Sequence, residues 1–331
     1  MTTILILGAT GFIGGHIGLA ALERGWTVRA LRRNPDPTGP LATAPVEWFS
    51  GSLDEPASLD QPLRSVDFVF HAAAYYPKDG RHVSRQVAFA VKQTRNVLDA
   101  LHRAGSPKLL FTSSLSTIGR PALGEARLAD ERDTYIPGSL PRSAYYECKI
   151  AMEREILQAA VGTQAVVLNP TAVFGPGDWK PTTGGLVIGI ARGYGLVSLP
   201  GWTNVVDVRD VARAHLRAAE VGVSGERYVL GGHNLRIAEF IRSIAEAARV
   251  RPPLFELPRS VLRALVRIGE RLPGASALGN HLGAFETWQP LDSSKARRAL
   301  GLDPREWADT LRDSLGWYRG RGVLPREGSV V

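Results

Sequence analysis

Cysteine is almost absent from this 331-residue chain, where Cys148 stands alone. One thiol cannot close an intramolecular disulfide, and no grouping of Cys and His has the spacing of a zinc site. The sequence therefore predicts neither a disulfide scaffold nor a metal centre, and a reducing, cytoplasmic setting is the expected location. Long apolar runs are lacking too. None reaches the roughly 18 residues of a spanning helix, and the opening MTTILILGATGF has no basic n-region and no small-residue cleavage site, so a soluble chain is expected. The net charge of +8 comes mostly from arginines scattered through helix-like segments, without a basic tail, a run of one sign or a nucleic-acid-binding signature. Nucleic acid is set aside as a partner; a small anionic or phosphorylated molecule fits the charge. With 44% hydrophobic and 22% charged residues the composition is globular, and the length suits a nucleotide-binding domain carrying a smaller lobe.

What is present is a rhythm. Short apolar runs at 3–7, 27–31, 46–50, 67–71, 108–112 and 165–169 read as buried strands, and amphipathic stretches at 12–24, 82–104 and 143–160 read as the helices between them. Alternation of this kind predicts an α/β fold, a doubly wound parallel Rossmann sheet with right-handed crossovers. After NPTAVFGPGDWKPTTGG the rhythm breaks into a mixture of short strands and helices, the latter near 208–220, 236–249, 259–272 and 305–319. The expected division is a dinucleotide-binding domain over 1–170 and a smaller, mixed substrate lobe over 171–331, some of whose segments return to the first domain. That lobe is expected over the carboxyl edge of the sheet, where open α/β sheets bind ligands.

Two motifs carry chemistry. In ILILGATGFIGGHI, Gly8, Gly11 and Gly14 follow a strand and open a helix. Such glycines allow a tight turn, close approach of backbone to a diphosphate and close helix–strand packing, while the helix N-terminus offers free N–H groups to the anion. The second strand ends VRALRRN, with Arg32 and Arg33 where an NAD-specific site carries a carboxylate for the ribose 2′-OH; guanidinium groups there favour the 2′-phosphate of NADP, NAD remaining the alternative. In SAYYECKIAMEREIL, Tyr145 and Lys149 stand four apart on one helix face. A phenol titrates near 10, and a neighbouring ammonium favours its phenolate, which suits proton transfer near neutrality.

These motifs, in this order with FHAAA, FTSSLSTIG, NPTAVFGPGD, VVDVRDVARAH and ERYVLGG, resemble the extended short-chain dehydrogenase/reductases, the NAD-dependent epimerase/dehydratases, over essentially the whole chain. The dihydroflavonol-reductase and hopanoid-associated epimerase-like branch is the most similar. The resemblance implies a catalytic set of Ser114, Tyr145 and Lys149, with Ser113 and Ser116 as neighbouring alternatives for the hydroxyl and Thr112 finishing the strand. It further implies that Gly8, Thr10, Gly11, Phe12, Ile13 and Gly14 cradle the dinucleotide, and that Ser52 and Leu53 lie at its adenine end. Ala72, Ala73 and Ala74 would line the trough, and Pro170 and Val173 would meet the nicotinamide, with Tyr145 and Lys149 also touching the cofactor. His71 is expected to pack at a strand end, and Cys148 to take no part.

Three positions depart from the family pattern: Ser52 in place of an Asp, Ala90 in place of an Asn that supports the lysine, and Asp207 in place of a His. Leu115 and Ser116 follow Ser114 where sugar-nucleotide dehydratases carry an acidic pair, so dehydration is not expected. The expected function is an NADP(H)-dependent oxidoreductase acting on a carbonyl or alcohol. The alternatives are a sugar-nucleotide epimerase with retained NAD(P) and a non-enzymatic cofactor-sensing regulator. Trp179, Trp202, Phe285 and Trp288 are candidates for an apolar substrate wall or for core. In RSVLRALVRIGERL, Val261, Leu265, Ile268 and Leu272 form an apolar stripe beside Arg259, Arg263, Arg267 and Arg271. It reads as a core-packed helix with a solvated basic face, weak contact with an anionic membrane surface being the alternative. A homodimer is left open.

Overall fold

The structure, a computed structural model, describes residues 1–331 except 35–37, 74, 76, 78–81, 141–142, 182, 263, 265–288 and 327–331. Ala74, Phe285, Trp288 and most of the arginine-rich stripe therefore lie outside the described residues. At the start of that stripe the order expected is reversed, since Val261 is exposed and Leu262 is buried.

The chain divides into two compact units, the first formed by residues 1–171, 208–230 and 292–303. Its centre is a seven-stranded parallel sheet of β1 (Thr3–Leu7), β2 (Thr27–Arg32), β3 (Glu47–Ser50), β4 (Phe68–His71), β5 (Lys108–Thr112), β6 (Ala165–Pro170) and, from later in the chain, β10 (Arg227–Leu230). The spatial order is β10-β6-β5-β4-β1-β2-β3. The sheet is covered on both faces, which is why its central strands are apolar almost throughout rather than alternating. The helices α1 (Phe12–Glu23) and α5 (Val208–Val221) pack together, as do α2 (Val83–Arg103) and α3 (Ala144–Ala159). Under α2 and α3 lies an apolar cluster containing Leu5, Leu7, Val69, Val97, Phe111, Met152 and Val167.

The direction of winding reverses at β1. The chain leaves β1 for β2 and β3 on one side and returns to β4 on the other, which opens a crevice at the carboxyl ends of β1 and β4. The turn after β1 carries the first glycine motif, and the ends of β4, β5 and β6 carry His71–Ala72, the hydroxyl cluster and Pro170.

The second unit comprises residues 172–207, 231–291 and 304–331. It holds a three-stranded sheet ordered β11-β9-β7, from β7 (Ala172–Phe174), β9 (Trp202–Asp207) and β11 (His233–Arg236), and a two-stranded parallel pair, β8 (Val197–Ser198) with β12 (Phe255–Glu256). Around them stand α4 (Gly184–Gly189), α6 (Ile237–Ala248) and α8 (Trp307–Gly320), while α7 (Ser294–Leu300) belongs to the first unit. Phe174, Phe240 and Trp307 meet ring to ring at the heart of the second unit's apolar cluster. Among the described residues no helix is long and apolar enough to cross a membrane, and no group of His, Cys, Asp or Glu could hold a metal ion.

Candidate active site

The turn from β1 into α1 is built for something to lie against it. Gly8 has φ +98°, and a Cβ there would come within 2.7 Å of the Ala72–Ala73 backbone at the end of β4. A Cβ on Gly14 would collide with the Gly8 carbonyl oxygen. The Gly11 N–H closes the turn onto that same carbonyl at 2.9 Å, and Gly11 itself is exposed at the helix N-cap. No side chain caps α1 and no acidic residue occupies its first turn. Among the described residues its positive end therefore has no side-chain partner, and it is flanked by half-buried Thr10, Phe12 and Ile13, as an anion would require. Ala72 and Ala73 continue from β4, held by the Ala72 N–H bonding the Leu7 carbonyl at 2.8 Å.

At the end of β2 the Arg32 guanidinium lies over the Trp48 ring, 5.9 Å from its centre, and its Nε is buried with no hydrogen-bond partner among the described residues. Arg33 beside it is exposed. An orphaned buried donor on a cation, together with a turn that admits no side chain, fits a dinucleotide of the NAD(P) type. Past β3, the Ser52 hydroxyl accepts from the Asp54 N–H at 3.3 Å. Leu53 is buried in the apolar cluster, and its carbonyl accepts from Asn96 at 2.8 Å.

The hydroxyl cluster follows β5. Thr112 ends the strand, with its Oγ1 2.9 Å from His215 Nε2. Ser113 turns inward and donates to Glu153. Ser114 caps the 3-10 turn Leu115–Thr117, accepting from the Ser116 N–H at 3.2 Å. The Ser116 hydroxyl is buried without a partner among the described residues. Only Ser114, of the three serines, meets the tyrosine: the Tyr145 phenol donates to its Oγ at 3.2 Å.

Tyr145 stands in the first turn of α3. Buried Glu147 anchors that turn by accepting from the Gly138 and Leu140 N–H groups, each at 2.6 Å, and an acidic residue there also suits the helix dipole. One turn after Tyr145, Lys149 is only 7% exposed and donates to the carbonyls of Thr112 at 3.2 Å and Ser113 at 3.4 Å. Burial pushes its ammonium down to about 8, against the opposing pull of Glu153, which favours the charged form. His71 is wholly buried, edge-on to Phe111, with neither ring nitrogen partnered among the described residues; burial, helped by the Lys149 cation, pushes it down to about 3. It is neutral at physiological pH. Ala90 and Cys148 are buried in the neighbouring apolar cluster, and burial pushes the thiol up to about 11.

The remaining expected positions fall in both units. Pro170 closes β6 in the first, and Val173 is buried in β7 of the second. In the second unit Asp207 is buried at the end of β9 and accepts from Thr310 at 2.9 Å. Trp179 is 41% exposed beneath the Arg321 guanidinium, and Trp202 lies under Arg236, so both are cation-stacked rather than core.

Two residues of this neighbourhood escaped the sequence reading. Glu153, one turn beyond Lys149, gathers Ser113, Thr117 and Asn169, and Arg227 pairs with it at 2.7 Å. The i+4 spacing from Lys149 was a usable signal for Glu153. Arg227 left none, because it reaches the cluster from a distant strand.

The model of the NAD dependent epimerase/dehydratase family matches residues 4–231. A putative dihydroflavonol 4-reductase of a Synechocystis species is 30% identical over 335 residues, spanning 96% of this chain and 95% of the relative. A 4-hydroxy-2-methyl-3-oxo-4-farnesyl-3,4-dihydroquinoline-1-oxide ketoreductase of Stigmatella aurantiaca is 27% identical over 343 residues, spanning 97% and 98%. The crystal structure of a nucleoside-diphosphate-sugar epimerase from Pseudomonas aeruginosa superposes with a TM-score of 0.82 at 29% identity, covering 98% of this chain and 99% of that one. The chain belongs to the NAD-dependent epimerase/dehydratase family, and is an NAD(P)-dependent oxidoreductase or epimerase of the extended short-chain dehydrogenase/reductase type.

Proposed function

We propose that this protein is an NADP(H)-dependent oxidoreductase that reduces a carbonyl or oxidises an alcohol, with Ser114, Tyr145 and Lys149 as its working groups. The observation that carries the reading is the 3.2 Å contact from Tyr145 Oη to Ser114 Oγ, with buried Lys149 one turn along the same helix. A serine hydroxyl has one proton and two lone pairs. Tyr145 and the Ser116 N–H occupy the acceptor side of Ser114, so its own proton is left to hold a substrate oxygen. Tyr145, beside that oxygen, gives it a proton in reduction and takes one in oxidation. Lys149 spends two N–H groups on carbonyls of the serine loop and keeps a third for a ribose hydroxyl, while its charge favours the phenolate. The nicotinamide, when bound, supplies or accepts the hydride. Arg32 and Arg33 would grip the 2′-phosphate, and the glycine turn the diphosphate.

The reductase and ketoreductase relatives support reduction; the epimerase neighbour supports a second reading in which the cofactor is retained. Loss of NADPH absorbance on a panel of aldehydes and ketones separates the two, because an epimerase turns over with no net change in cofactor. Tyr145→Phe should leave folding and NADPH binding nearly intact and cut turnover roughly a hundredfold or more, as for a lost general acid. Full activity in that variant rejects the reading.

A further inference from the structure

Beneath the serine loop lies a polar cluster in a place where apolar side chains would be ordinary. Glu153 is 4% exposed and Arg227 6%. One carboxylate oxygen of Glu153 accepts from the Ser113 hydroxyl, from Thr117 Oγ1 at 2.7 Å and from Asn169 Nδ2 at 2.8 Å. The other pairs with Arg227 Nε at 2.7 Å. Asn169 also donates to Thr117 at 2.8 Å and lies 3.3 Å from the Ser114 carbonyl. The terminal nitrogens of Arg227 donate to the Glu131 carbonyl (2.8 Å), the Thr117 carbonyl (3.0 Å) and Thr117 Oγ1 (3.2 Å). The hydroxyls at both ends of the turn, Ser113 and Thr117, thus meet on one carboxylate, and the two side chains that also hold the turn, Asn169 and Arg227, are bound to that same carboxylate.

Burying an ion pair is a poor way to gain stability, because desolvation offsets the attraction. What such a pair can provide is geometry. Ser113 and Thr117 flank Ser114 on either side, so a carboxylate that binds both fixes the backbone between them and with it the direction of the Ser114 hydroxyl. We propose that Glu153, clamped by Arg227, is the positioning residue of this site: it holds the 113–117 turn so that Ser114 stays within reach of Tyr145. The catalytic consequence rests on the function proposed above; the ordering of the turn does not. Glu153 has a second effect through Lys149, one helical turn away, whose charged form it favours. The groups that face Lys149 are Tyr145 and Glu153 from its own helix and neutral His71 from β4, and the charge that faces Glu153 across the cluster is Arg227 from β10.

The test is Glu153→Gln in the full chain, which keeps the shape and removes the charge. Amide exchange at residues 114–118 should quicken about tenfold or more while β1 keeps its protection. The Lys149 titration, followed by NMR with isotope-labelled lysine among only six lysines in the chain, should move to lower pH. Turnover should fall about tenfold or more with the NADPH dissociation constant unchanged, as expected when a reacting group is misplaced. Should the single variant fail to fold with Arg227 left unpaired, Glu153→Gln with Arg227→Met removes both charges and carries the same three measurements. Unchanged exchange in a folded variant overturns the proposal. So does a loosened turn with unaltered turnover. The exchange and lysine measurements need no substrate, so full activity in Tyr145→Phe would reject the catalytic reading alone and leave them standing.

Discussion

Arg32 buries a donor that finds no acceptor among the described residues, a condition that costs about 1–3 kcal/mol until a ligand supplies one. A 2′-phosphate would do so, and NADPH should accordingly bind at least about tenfold more tightly than NADH, a gap of the size that one or two charge-assisted bonds provide. Replacing both Arg32 and Arg33 with Ala should erase most of that gap. Calorimetric titration of the two cofactors decides it, and equal dissociation constants in the unmodified protein would contradict the assignment. Single residues were legible in the sequence where their chemistry depends on local spacing. Tyr145 and Lys149 share a helix face, and Ser114 sits just past an apolar strand. The carboxylate cluster was not legible: Glu153, Asn169 and Arg227 stand on three different elements, and only the folded sheet brings β6 and β10 alongside the serine loop.

At the scale of elements, the β1–α1 turn is the feature with least tolerance. The collision of any Cβ at Gly14 is with the Gly8 carbonyl, a backbone atom that cannot rotate away, so Gly14→Ala must push α1 off the sheet. Overpacking of this kind costs about 1–3 kcal/mol. Thermal melts should record that loss, and cofactor affinity should fall disproportionately because the first-turn N–H groups move with the helix. A variant that binds NADPH as tightly as the parent would show that the turn does not hold the diphosphate. The strands of the parallel sheet were readable because central strands are uniformly apolar, and the observed β1 and β5 keep the expected limits. The sheet of the second unit was not. Its β7 has three residues and its β11 reads HNLR, too short or too polar for a periodic signal, and both are specified by pairing with β9.

Across the whole molecule, acid should be more harmful than alkali near neutrality. Two buried histidines, His71 and His215, have their folded values pushed down by burial to about 3 and about 4. Below the ordinary value near 6.5 the unfolded chain takes up protons that the folded chain refuses, so stability is full above that value and declines as pH falls toward 4 and 3. Buried Asp178 works the other way, since its folded value is raised to about 6 and it gains stability on acidification over that narrower range. Glu131, also raised by burial, adds to that gain, but the two histidines oppose it across the whole interval below 6.5, and the net is a loss. Melting temperatures between about pH 7 and pH 4.5 should fall with pH, and His71→Leu should flatten the slope while lowering stability at neutrality only by its lost packing against Phe111, since its imidazole has no hydrogen bond to lose among the described residues. An unchanged slope in that variant would assign the acid sensitivity elsewhere. The sole thiol of the chain offers a way to watch such unfolding. Cys148 is sealed from solvent and its thiolate is suppressed, so a maleimide added to native protein has nothing to attack. Each molecule that reacts has first opened its core around α3, which makes the labelling rate a molecular clock for unfolding, read without spectroscopy and without any engineered probe.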